Sequence, residues 1–305
     1  MGTANLAKVE REGTPQLLSL TKTVVDMHKG GSKRAAVVVY LDRSNSTNDH
    51  DNRWGGNVLW DDGTMELLKD IVAAIALGGF DDNNSAPLRF FHTEVVAPIW
   101  PKNGEIELGN AKEILAKNKK VKFHGTAFIP VFLDLVRQAL LLEASTRLSG
   151  KDLVREQDRI EKMSDRQVTD FIRPRVENGV EVLEPKLKLP YPVYGLVGTD
   201  GESGESLELL KQYLRWLSQL GIYIMLVGVG VHEFKVLSAL DQAGEDTGMK
   251  KQVPLWDNAD FLDFKDLTGG AYRVPNDDPA LLMEKLLGKF KNNAYPDCRS
   301  LGLIG

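Results

Sequence analysis

Five oxygen-bearing side chains stand out by type and spacing. Asp42-x-Ser44-x-Ser46 follows directly on the apolar run Ala35–Leu41, within VVVYLDRSNSTNDHD. Thr126 stands just ahead of an amphipathic stretch that carries Pro130, within KFHGTAFIPVFLDLVRQALLL. Asp200 follows a second apolar run, Tyr191–Gly198, in the turn Gly198-Thr199-Asp200-Gly201. Two carboxylates and three hydroxyls form a hard-oxygen set. Such a set suits Mg²⁺, which keeps several waters and takes one or two carboxylates, with Mn²⁺ or Ca²⁺ as alternatives. It holds no thiolate or imidazole, so a dedicated zinc site is not expected. The alternation Ser-x-Ser lets both hydroxyls face one side of a tight loop. Each residue also has a plainer role open to it. Asp42 and Asp200-Gly201 serve as turn residues, the serines satisfy backbone N–H groups, and Thr126 caps the next helix.

Chemistry at these positions needs elements that bring them together. Ala35–Leu41, Tyr191–Gly198 and Ile222–Val229 are continuous apolar runs, the mark of strands buried on both faces. Between them lie helical patterns. Met65, Leu68, Ile71, Val72 and Ile75 recur at helical spacing before Gly78–Gly79. Ile129, Phe132, Leu133, Val136 and Leu140 form a stripe that starts just after Thr126, with Pro130 in its first turn. Leu207, Leu210, Leu214 and Leu217 mark another helix, and Phe234, Val236, Leu237 and Leu240 a further one. Asp278 and Pro279 open a last helix with Leu281, Leu282, Leu286 and Phe290 on its apolar face. Leu88–Val96 and Ala97–Trp100 read as two strands in a hairpin, residues 108–118 as a weak helix, and Val253–Trp256 as a short strand. Strands alternating with helices predict an α/β fold: a doubly wound, mostly parallel sheet with helices on both faces and one short antiparallel edge strand. In such sheets ligands sit beyond the carboxyl ends of the strands, where strand order reverses. The expected organisation is an N-terminal arm over 1–33, the domain over 34–295, and a C-terminal tail over 296–305. A charged, partly helical insertion lies at about 144–190, broken at Pro174.

The bulk properties narrow the function. With 305 residues and 42% hydrophobic content there is enough chain for a substantial core. A net charge of -5 argues against nucleic acid. The single cysteine, Cys298, rules out an internal disulfide framework and fits a reducing compartment. MGTANLAKVEREG lacks the apolar core of a signal peptide, and Leu6 breaks the myristoylation pattern. No apolar run approaches the ~18 residues that a bilayer span needs, so no membrane insertion is expected. A cytoplasmic location is the expectation. Asp49, Asp51, Asp61 and Asp62 read as a solvated acidic loop, and Trp54 and Trp60 as sheet-edge packing or an aromatic rim. His124 reads as a structural or rim residue, and His50, His92 and His232 show no metal spacing. GVGVHEF (Gly228–Phe234) lacks the third glycine of a dinucleotide loop.

Taken in chain order, Asp42, Ser44, Ser46, Thr126 and Asp200 resemble the metal-ion-dependent adhesion site of von Willebrand factor A (VWA) domains. The resemblance spans about residues 34–290. The chain is similar in particular to the bacterial VWA proteins of tellurium-resistance (Ter-type) operons, through TPQLLSLTKTVVDMHKGGSKRAAVVVYLDRSNS, DDGTMELLKDIVAAIALGGFDDNNSAPLRFFHTEV and DNADFLDFKDL. It departs from the family at Asn45 and Thr47, in its long acidic loop and in the charged excursion. The resemblance implies a binding module rather than an enzyme, in a stress-resistance or phage-defence setting. A bound cation leaves one position open, which an acidic side chain of a partner protein fills. Ser44, Ser46 and Thr126 are then the direct ligands, and Asp42 and Asp200 bind directly or through water. Two other functions stay open. A Mg²⁺-dependent phosphohydrolase would use Asp42 as nucleophile, but the usual second aspartate of Asp-x-Asp is Ser44 here. A structural or assembly component would use the fold without metal.

Overall fold

The computed structural model describes residues 15–305 apart from 29–33, 49–58, 62, 82, 84, 102–103, 108–109, 111, 119–123, 202, 231–232, 245–253 and 266–278. Asp49, His50, Asp51, Trp54, Asp62, His232, Val253 and Asp278 therefore lie outside the described residues.

The apolar runs form the strands that their composition predicts. β1 (Ala36–Asp42), β7 (Val193–Thr199) and β8 (Ile222–Gly228) are buried almost end to end. Residues branched at Cβ and aromatic residues dominate them, which suits a strand covered on both faces. β2 (Ala86–Phe91) and β9 (Ala259–Asp263) flank this centre. With β3 (Val95–Val96) at one edge, the sheet order is β3-β2-β1-β7-β8-β9. β2, β1, β7, β8 and β9 run parallel. β3 and β4 (Glu105–Ile106) pair antiparallel with β2. The hairpin predicted after Leu88 is present, but its return strand is Val95–Val96 rather than Ala97–Trp100. Pro98 within that stretch and Pro101 just after it withhold ladder donors. The strand expected at Val253–Trp256 is displaced to Ala259–Asp263, because Trp256 turns inward and its Nε1 donates to the Ser218 carbonyl at 2.7 Å. Of the weak helix over 108–118, Ile114–Lys117 (α3) is helical.

Two glycines of β7 show how the helices clasp the sheet. A Cβ at Gly195 would stand 2.8 Å from Leu135 Cδ2, on α4 (Ile129–Arg147). A Cβ at Gly198 would overlap the Leu68 side chain, on α2 (Thr64–Ile75). Residues three apart on a strand point to opposite faces, so α4 and α2 cover opposite sides of the sheet. α1 (Pro15–His28) packs with α2 and α9 (Pro279–Lys289) with α1, while α7 (Leu207–Leu217) packs with α4 and α8 (Lys235–Asp241) with α7. The segment set apart as an arm thus contributes Leu17, Leu20 and Val24 to the core. The segment set apart as a tail folds as α10 (Tyr295–Ser300) and buries Cys298, Leu303 and Ile304. The excursion after α4 comprises α5 (Gly150–Glu161), α6 (Asp165–Ile172) and the hairpin β5 (Arg175–Glu177)–β6 (Val180–Val182). It docks through Ile160, Val168 and Ile172, which are buried, while most of its charged groups face solvent. No helix among the described residues is long and apolar enough to cross a membrane.

β1 leads out to β2 on one side and has β7 on the other, so strand order reverses between β1 and β7. Asp42 ends β1 and Asp200 follows β7 directly. The close approach of β7 to α2 gives a first test. Gly198→Ala should cost about 1–3 kcal/mol through overpacking against Leu68. Urea unfolding measures it, and an unchanged midpoint would show that α2 does not press on β7 here.

Candidate functional site

Three loops meet at this reversal. The first leaves β1 at Asp42 and turns through a short 3₁₀ segment, Asn45–Thr47. The second carries His124, Gly125 and Thr126 into α4. It is zipped onto the first by Asn45 N donating to the His124 carbonyl at 2.7 Å and His124 N donating to the Arg43 carbonyl at 3.2 Å. The third leaves β7 through Thr199-Asp200-Gly201. Gly201 has φ +89°, a left-handed conformation, and a Cβ there would meet Phe234 at 2.7 Å.

All five residues singled out by type and spacing come to this place. Ser44 Oγ and Ser46 Oγ lie 3.0 Å apart, as Ser-x-Ser spacing allows. With Thr126 they line an open pocket of about 310 Å³, completed by Asn45, His124, Gly125, Ser203 and Gly204. Asp42 and Asp200 are fully buried and do not line it. Both oxygens of Asp42 are engaged. Oδ1 accepts from Ser44 N at 2.7 Å, and Oδ2 from Thr199 Oγ1 at 2.6 Å. Thr199 Oγ1 accepts in turn from Gly201 N at 3.1 Å. Burial first, and the neighbouring Asp200 charge second, push the Asp42 carboxyl up to about 8 from an ordinary 3.8. The hydrogen bonds from Thr199 and Ser44 oppose that rise without cancelling it. Among the described residues, no cluster of three or more His, Cys, Asp or Glu side chains could hold a metal. A cation here would depend on the hydroxyls. The donors present, hard oxygens over two neighbouring buried carboxylates, fit a small divalent cation.

The plainer role proposed for Thr126 does not hold. α4 begins at Ile129, with Phe128 at the N-cap and no side-chain cap from it. Glu205 serves instead: its carboxylate accepts from Phe128 N at 2.5 Å and Ile129 N at 2.9 Å. Trp60 is part-buried rather than a rim residue, and its Nε1 donates to the Asp42 carbonyl at 3.1 Å. The Arg43 guanidinium lies over that indole, 4.2 Å from the ring centroid. Thr47 is buried, and its Oγ1 donates to the Ser44 carbonyl at 2.8 Å, bracing the serine turn. His92 and His124 face each other, ring centroids 4.6 Å apart. Burial, then the His124 charge, lowers the His92 pKa.

Sequence reasoning assigned no role in the site to Thr199, Thr47 or Glu205. Thr199 was visible beside Asp200 in the quoted turn. Glu205 was not, since its partners lie 76 and 77 residues away.

Fold and site together define an α/β protein with a hydroxyl-lined pocket above two buried carboxylates at the switch point of a doubly wound sheet. No protein-family model and no curated protein matches the chain. Among solved structures it is similar to the SpRpn10 VWA domain, over 83% of this chain and 95% of that one, at 10% identity and a TM-score of 0.38. That likeness is distant, and the fold rests on the strand order given above.

The proton on Asp42 has a measurable consequence in protein stripped of metal. With its folded pKa raised to about 8, Asp42 holds a proton that the unfolded chain gives up from pH about 4 upward. The associated stability is fully present below that pH and is lost as pH rises through 8. In EDTA, the melting temperature should fall between pH 5 and 8, at no more than about 1.4 kcal/mol per pH unit. Asp42→Asn should flatten this slope. An identical slope in the variant would place the proton elsewhere.

Proposed function

We propose that this chain is a protein-binding module that works through a bound divalent cation, Mg²⁺ first, with Mn²⁺ or Ca²⁺ as alternatives. The observation that carries this reading is the meeting of Asp42, Ser44, Ser46, Thr126 and Asp200 from three loops at one strand-order reversal. Ser44, Ser46 and Thr126 line the pocket and are the direct ligands. Asp42, with both oxygens already accepting hydrogen bonds, acts through a bound water and fixes the serine turn. Asp200 adds the second negative charge beneath the site. A divalent cation would offset the repulsion between the two buried carboxylates, which otherwise favours a proton on Asp42.

A cation held by hydroxyls, waters and two carboxylates keeps a position for an outside ligand. The open pocket admits one from solvent. A carboxylate on a partner protein is the hard, negatively charged group suited to it. The resemblance to VWA domains supports protein capture over catalysis. The resemblance to Ter-type proteins supports a place in a stress-resistance or phage-defence system, inside the cell. The position at which a phosphohydrolase of this layout carries its general acid is Ser44, which cannot serve in that role.

Calorimetric titration with Mg²⁺, Mn²⁺ and Ca²⁺ tests the cation. The wild type should bind one ion, and Asp42→Ala should weaken binding about 10–100-fold, as loss of an outer-shell partner does. Absence of binding by the wild type, or binding unchanged from the wild type in Asp42→Ala and Asp200→Ala, would sink the reading. Capture of partner proteins from the source cell should be lost in EDTA and with Asp42→Ala. Capture that survives both makes the chain a metal-independent assembly component.

A further inference from the structure

Glu205 is half-buried and reaches from the third loop to the start of α4. Its Oε2 accepts from Phe128 N at 2.5 Å and its Oε1 from Ile129 N at 2.9 Å. Ser203 Oγ donates to Oε2 at 2.9 Å and accepts from Glu205 N at 3.1 Å, which locks the carboxylate's approach. Gly204 N donates to the Thr126 carbonyl at 3.3 Å. Pro130 has no N–H, and Phe128 has no side chain able to cap. The Phe128 and Ile129 donors at the start of α4 are therefore met from outside the helix. An ionised carboxylate there also meets the positive end of the helix dipole. Among the described residues no basic side chain forms an ion pair with Glu205, so the backbone amides of Phe128 and Ile129 and the Ser203 hydroxyl are what hold it.

The consequence is geometric. The loop that carries Asp200 reaches across and grips the chain two and three residues beyond Thr126. Two of the three loops of the site are thereby bolted together by one carboxylate. We propose that Glu205 is a positioning residue: by clamping the start of α4 it sets the spacing of Thr126 against Asp200, and so the cation affinity of the pocket, without touching the cation. This inference rests on reading the pocket as a cation site. A cap that merely stabilises α4 would change melting temperature and leave the affinity of folded protein unaltered.

A double-mutant cycle separates the two. Mn²⁺ is titrated into the wild type, Glu205→Gln, Thr126→Ala and the double variant, at a temperature where circular dichroism shows each folded. Glu205→Gln should weaken binding about 10–100-fold, the usual range for a residue that orients a ligand. On the Thr126→Ala background it should add nothing further, because the residue it positions is gone. In metal-free protein, amide exchange at Phe128 and Ile129 should quicken in Glu205→Gln. Equal affinity in wild type and Glu205→Gln overturns the positioning role and leaves the cation reading intact. Additive losses in the double variant, or unchanged amide exchange, also overturn it. A wild type that binds no Mn²⁺, Mg²⁺ or Ca²⁺ overturns both. Should Glu205→Gln fail to fold, Ser203→Ala removes one bond to the same carboxylate. It should give a smaller loss that likewise vanishes on the Thr126→Ala background.

Discussion

The structure turns on two carboxylates buried side by side at the end of the central strands. Asp42 has no exposed surface, and neither has Asp200. Burial alone disfavours one negative charge there, and the second charge compounds the cost. Thr199 and Ser44 lessen it with short hydrogen bonds, yet Asp42 keeps its proton far above the usual carboxylate range. Everything around the pair follows from holding it in place. The strands must end in register, the turn after β7 must be tight, and the serine loop must fold back over Asp42.

Much of the neighbouring polar structure serves that constraint. Trp60 donates to the Asp42 carbonyl and to Thr47 Oγ1, while Thr47 donates to the Ser44 carbonyl. Arg43 leans on the Trp60 face, so its long side chain packs beneath the loop rather than entering the pocket. The second loop is held to the first by backbone bonds through His124, and the third to the second through Glu205 and Gly204. The pocket is thus built mainly from backbone turns of short polar residues. That leaves the Ser44 and Ser46 hydroxyls as neighbours with little freedom. Preorganisation of this kind lowers the ordering cost of binding a small hard ion.

The apolar runs Ala35–Leu41, Tyr191–Gly198 and Ile222–Val229 were legible as strands because burial on both faces leaves a local record in composition. The helices over 64–75, 129–147 and 207–217 were legible for a related reason, the apolar stripe that one covered face demands. Shorter pieces misled. VPLW has the composition of a strand, but Trp256 is anchored to the α7 end instead, and β9 forms from the more polar ADFLD. Residues 108–118 carry a helical pattern of which Ile114–Lys117 is realised. Where few residues cooperate, tertiary contacts outweigh propensity.

The site divides along the same line. Sequence alone determined that Asp42, Ser44, Ser46, Thr126 and Asp200 stand at element ends, because strand endings and helix starts are written in neighbouring residues. It also determined the chemistry on offer, hard oxygen without thiolate or imidazole. Only the tertiary structure decided that β1 lies beside β7, which brings residues 42 and 200 together. It alone decided that Thr199 holds Asp42, that Thr47 braces the serines, and that Glu205 rather than Thr126 caps α4. The physical reason is distance along the chain. A strand or cap motif spans a few residues, whereas the Thr199–Asp42 and Ile129–Glu205 bonds join groups 157 and 76 residues apart. No local pattern encodes such pairs, and strand order alone makes them neighbours.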